Sequence, residues 1–141
     1  MSWNVHLRID PGSGVPVYRQ LMNQIRYYVS SGAIATGDRL PSIRDLARGI
    51  GVNPTTVVKA YTELENDGFL DRQQGRGVFV ADQARGLSSA ELDRALRDSA
   101  RQLVVEATQL GVDIERVVHL VRLEYQRVER ESETDRGQRH A

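Results

Sequence analysis

The chain has 141 residues, no cysteine, and 19 basic residues against 19 acidic ones. That excludes a disulfide scaffold, a thiolate metal site and nucleic-acid binding by bulk charge alone. With 40% hydrophobic and 27% charged residues, it has the balance of one or two small water-soluble domains.

Residues 1–16 read as a polar lead-in punctuated by DPGSGVP. From Pro16 the pattern turns helical, with Val17, Leu21, Ile25, Tyr28 and Val29 on one face and SSG as the stop. After the loop ATGDRLP, Ser42 caps a second helix, with Asp45 three residues on as a shortened capping-box partner. Ile43, Leu46, Ala47 and Ile50 form its apolar face, and Gly51 ends it. A third helix opens on Asn53 and Pro54, carries Val57, Ala60, Tyr61 and Leu64 at core spacing, and stops at Gly68. Residues 69–72 and 78–80 read as two short strands joined by QQGRG. Helix, helix, turn, helix, hairpin is the order of a winged helix-turn-helix, here over residues 13–82.

The character changes after the junction at 82–88. Two long helices are expected, over 89–110 and 113–131, with Gly111 between them. Leu96, Ala100, Leu103, Ala107 and Leu110 on the first, and Ile114, Val118, Val121, Tyr125 and Val128 on the second, follow heptad spacing. The fold class is therefore mainly α with a small β-hairpin wing: an N-terminal winged helix-turn-helix plus a C-terminal helical hairpin. A lone hairpin hides little surface, so the seam of Leu96, Leu103, Leu110, Ile114, Val118, Val121, Tyr125 and Val128 is expected to meet a second copy in a homodimer. Region 83–131 would serve dimerisation and could respond to an effector. His119, Arg122 and Tyr125 could line a small cavity there, but read more simply as core edge and surface. The polar residues 132–141 read as a disordered tail.

The outer face of the third helix carries Thr55, Thr56, Val58 and Lys59 in its first turns, with no acid among them. A helix that enters the DNA major groove by its N-terminal end needs a cap without bulk, short or cationic side chains, and an apolar contact for thymine methyls. Asn53 and Pro54 supply the cap. Thr55 and Thr56 can donate to phosphates or bases, Val58 can touch a methyl group, and Lys59 can neutralise a phosphate. Glu63, Glu65 and Asp67 sit in the last turns, away from the groove. Arg44, early in the second helix, suits a bidentate phosphate or guanine contact. Arg76, between Gly75 and Gly77 at the hairpin tip, suits a minor groove or flanking phosphate. Each residue has a bland role as well: threonines cap locally, a lone lysine is solvated, Arg44 makes a weak surface ion pair, and glycines merely turn the chain. Their joint order points to double-stranded DNA.

Catalysis finds no support. His6, His119 and His140 are far apart without metal-ligand neighbours, no nucleophile motif occurs, and the glycines of QQGRG lead into a strand rather than the helix a P-loop needs. No metal and no cofactor is expected. The rival reading is a winged helix used for protein contact without a specific DNA target. An acid-free leading face and a basic wing tip would be unnecessary for that task. No apolar run reaches membrane-span length, and MSWNVHLRID lacks a signal-peptide shape, so a cytoplasmic protein is expected.

The run GDRLPSIRDLARGIGVNPTTVVKAYTELENDGFLDRQQGRGVFV resembles the DNA-binding domain of GntR-family bacterial transcription regulators, and GVPVYRQLMNQIRYYVSSGAI resembles that family's first helix. The short remainder and the VNP start resemble the YtrA-like branch, whose two C-terminal helices serve dimerisation. The resemblance implies DNA contact at Arg44, Thr55, Thr56, Gly75 and Arg76, with Arg39 and Ser42 as phosphate neighbours. It also implies an autoregulated repressor beside transporter genes, and a dimer of two winged units would read an inverted-repeat operator. The FadR-like branch has arginines where this chain has Pro54 and Val58, so base contacts inferred for those arginines do not carry over.

Overall fold

The computed structural model describes residues 5–82, 84 and 86–139. It divides into two compact units, Met1–Ser88 and Ser89–Ala141.

In the first unit, α1 (Val17–Ser30), α2 (Ile43–Ile50) and α3 (Pro54–Asn66) precede an antiparallel hairpin of β1 (Leu70–Gln73) and β2 (Gly77–Val80). Local chemistry sets the helix ends. The Ser42 hydroxyl accepts the Asp45 amide at 3.1 Å, and the Asn53 side-chain oxygen accepts the Thr55 amide at 2.9 Å. Gly51 takes a left-handed φ of 73° to end α2, which lets α3 begin three residues later with Pro54 in its first turn. The apolar positions of α3 then do what their spacing requires: Val57, Ala60, Tyr61 and Leu64 are fully buried. They meet Leu21 and Ile25 of α1, and Leu70, Val78 and Val80 of the hairpin complete the core.

Two features of this unit differ from the sequence reading. The lead-in is part of the domain, because Leu7 is buried and Val5 and Ile9 pack on the core. Its backbone is held by side chains of α1: the Arg8 amide donates to Gln24 Oε1 at 2.7 Å and the Asp10 amide to Gln20 Oε1 at 2.8 Å. The alternation of Val5, Leu7 and Ile9 is a period-two signal among polar neighbours. The hairpin also gains a third, bridge-like partner. Leu40 N–H donates to the Val78 carbonyl at 2.8 Å and Val80 N–H to the Asp38 carbonyl at 2.9 Å, bringing Arg39 opposite Phe79.

The second unit holds α4 (Ser89–Gln109) and α5 (Ile114–Arg139). Gly111, at φ 72°, turns the chain, Val112 N–H donates to the Ala107 carbonyl at 2.8 Å, and Asp113 Oδ1 accepts the Arg116 amide at 2.9 Å to start α5. The reading of 132–141 as a disordered tail is corrected as far as Arg139, since α5 runs through it. Polar composition suggested disorder, but Glu and Arg are good helix formers, Arg127 pairs with Glu131 one turn on, and the Ser132 and Thr134 hydroxyls donate to carbonyls four residues back. Residues 140–141 lie outside the described residues. Among the described residues of this unit, Ala107 and Val117, both near the turn, are the buried apolar ones.

Candidate nucleic-acid interface

The candidate interface is built on the capped start of α3. With Val57, Ala60 and Tyr61 buried, helical geometry turns Thr55, Val58 and Lys59 outward, and all three are exposed; Thr56 is half-buried at the edge of this face. Ser42, expected as a phosphate neighbour, and Asn53, expected as the cap of α3, both use their side-chain oxygens as caps. The Ser42 O–H and the Asn53 amide N–H groups keep donor capacity beyond that role.

The cations around this face share one property. Among the described residues, Arg39, Arg44, Lys59 and Arg76 are exposed and take no carboxylate partner. Two of the acids at the rear of α3 are paired elsewhere: Glu65 with Arg72 at 2.7 Å, and Asp67 with Arg26, whose guanidinium lies over the Phe69 ring. The surface ion pair weighed for Arg44 is therefore not formed.

At the wing, the turn over residues 74–76 is closed by Arg76 N–H donating to the Gln73 carbonyl at 2.9 Å, with Gly75 at φ 77°. Gly77 has a second task. At φ 121°, it leaves its Cβ direction empty, and a Cβ there would lie 2.9 Å from Arg39 Nε. The Arg39 guanidinium thus lies across the wing beside Gly77, next in sequence to Arg76. No local sequence signal marks this contact, because it depends on the backbone bridge between residue 39 and β2.

Lys59 makes a contact that the sequence reading missed. Its ammonium lies 4.1 Å from the centroid of the Tyr18 ring on α1. Among the described residues there is no group of His, Cys, Asp and Glu able to hold a metal ion, and no helix is long and apolar enough to cross a membrane.

A capped third helix with an acid-free leading face, and a basic wing beside it, define a winged helix-turn-helix DNA-binding protein. The family model for bacterial regulatory proteins of the gntR family matches residues 8–80, and the chain belongs to that family. It is a transcription regulator that binds DNA, of the YtrA-like branch. The chain is 35% identical to the HTH-type transcriptional repressor YtrA of Bacillus subtilis (strain 168) over 111 residues, covering 79% of this chain and 85% of that protein. Among solved structures, it is similar to a transcriptional antiterminator from Listeria monocytogenes EGD-e, with a TM-score of 0.61 and 35% identity over 88% of this chain and 92% of that one. It is also similar to YtrA from Sulfolobus acidocaldarius, a GntR-family transcription factor, with a TM-score of 0.52 and 34% identity over 73% and 97% of the two chains. These likenesses extend past the winged unit into the two-helix unit.

Proposed function

We propose that the protein is a repressor that binds an inverted-repeat operator as a homodimer, controls its own transcription and acts on neighbouring transporter genes. The observation that carries the DNA contact is the set of exposed cations without carboxylate partners around the leading end of α3. Thr55, Thr56 and Val58 face base edges, while Arg44 and Lys59 serve phosphates, Arg39 and Arg76 enter from the wing, and Gly75 lets the tip approach closely. Ser42 and Asn53 hold the two helix starts and keep donors toward the backbone.

The homodimer reading rests on the second unit. All eight seam residues, Leu96, Leu103, Leu110, Ile114, Val118, Val121, Tyr125 and Val128, are exposed, and so are Leu92, Val104, Val105, Leu120 and Leu123. This apolar surface is wider than a two-stranded seam and suits a four-helix arrangement of two copies. Two winged units on one dimer would then read half-sites about one helical turn apart, roughly 10 bp. The repressor named YtrA lends the sign of regulation.

The test is fluorescence anisotropy with the duplex upstream of the chain's own gene and a shuffled duplex of equal length, at two salt concentrations. Tighter binding to the upstream duplex that survives higher salt is expected. Equal, salt-sensitive binding to both would overturn autoregulation, and no binding to any duplex would favour the protein-contact reading.

A further inference from the structure

Lys59 sits on the outer face of α3, where the proposed function gives it a phosphate. Its ammonium lies 4.1 Å from the centroid of the Tyr18 ring. Tyr18 is half-buried on α1, outside the helix-turn-helix pair. Glu63, one turn further along α3, forms no ion pair with the lysine. The ring face attracts a cation through its quadrupole without neutralising its charge. An ammonium has three N–H donors, and one aromatic face does not consume them all.

We propose that Tyr18 is a positioning residue of the DNA interface: its ring holds the Lys59 ammonium on the α1 side of α3, ready for a backbone phosphate. Base edges are then left to Thr55, Thr56 and Val58. The proposal rests on the DNA-binding reading and assigns α1 a part in it. Two physical arguments support it. A lysine on an open helix face must lose the freedom of a long, flexible stem to hold one phosphate, and a ring contact already made in the free protein lowers that loss. The tether also fixes the charge on the α1 side of α3, while a recognition helix meets base edges by its leading end. A phosphate contact fixes register and carries no sequence information directly.

The experiment uses the full chain and a 30-bp duplex enriched by the wild-type protein from a randomised pool, with a scrambled duplex as reference. Lys59→Ala is expected to weaken both duplexes by the same factor and to lower the log–log salt slope by about 1. Tyr18→Phe, which keeps the ring, should bind as the wild type does. Tyr18→Leu should lose about 2- to 5-fold in affinity, the range of an exposed cation–π contact, and nothing more when added to Lys59→Ala. Should Tyr18→Leu fail to fold, Tyr18→Trp takes its place, with affinity equal to or tighter than wild type expected.

In the free protein, the ring should shift the Lys59 ε-methylene protons upfield in the NMR spectrum, and Tyr18→Leu should abolish that shift. A Lys59→Ala effect confined to the enriched duplex would make the lysine a base reader and overturn the proposal. So would an equal cost of Tyr18→Leu with and without Lys59, or a loss on Tyr18→Trp. If the pool yields no enriched duplex, the DNA reading falls and the proposal with it. The NMR shift then separates that outcome from an absent ring contact.

Discussion

Tyr61 links the core of the winged unit to the start of α2. It is fully buried, and its hydroxyl donates to the Pro41 carbonyl at 2.8 Å, just before the Ser42 cap of α2. Burial holds its phenol well above the ordinary value of 10.0. As pH rises past about 10, the unfolded chain releases this proton while the folded one keeps it. The contribution is therefore fully present below the unfolded value and is lost as pH rises toward the folded one, with a slope of about 1.4 kcal/mol per pH unit. Tyr61→Phe removes that slope but leaves the Pro41 carbonyl short of a donor, at a cost of about 1–3 kcal/mol near neutral pH. Urea unfolding at pH 8 and pH 11 should therefore show a wild-type advantage at pH 8 that shrinks at pH 11. A constant difference would mean that the phenol does not stay protonated in the fold.

The elements that were legible in the sequence are those whose ends are set by neighbouring residues. Ser42 and Asp45, Asn53 and Pro54, and the glycines at 51 and 111 act within a turn of themselves, so α2, α3 and the turn after α4 follow from local chemistry. The wing and the exposed face of α3 were legible for the same reason. What escaped is non-local: the lead-in lies on α1, Arg39 on Gly77, and Lys59 on Tyr18, partners set by the fold rather than by spacing. Two substitutions test elements of this kind. Leu7→Ala should cost about 2–5 kcal/mol in urea unfolding if the lead-in is core, and near zero if it is only a polar leader. Gly77→Ala puts a Cβ within 2.9 Å of Arg39 Nε and forces alanine to a φ of 121°. Strain of about 1–3 kcal/mol is expected. Because the guanidinium must also move, operator affinity should fall, and adding Arg39→Ala should then cost less than it does in the wild type. Full additivity of the two in an anisotropy cycle would detach Arg39 from the wing.

For the whole molecule, net charge is zero, and function depends on where the charges and apolar faces are placed. The winged unit gathers unpaired cations around the leading end of α3 and the wing, and the second unit leaves most of its large apolar side chains uncovered along both helices. Leu103 of α4 and Leu120, Val121, Tyr125 and Val128 of α5 line an open groove of about 800 Å³. Exposed apolar surface on this scale needs a partner, and a second copy offers the same surface in return. Val121→Glu places a carboxylate in the middle of that surface without touching the winged core. Sedimentation equilibrium should then find a monomer, while the thermal unfolding of the winged unit stays unchanged. Binding to an inverted-repeat duplex should weaken by about 100-fold or more, because two tethered half-sites gain avidity that one lacks. A half-site duplex should be bound equally by variant and wild type, since the contacts of one winged unit are intact. A Val121→Glu protein that sediments as a dimer with full affinity would place the interface elsewhere on α4 and α5. A monomer that keeps full affinity would instead mean that one winged unit is sufficient for the operator.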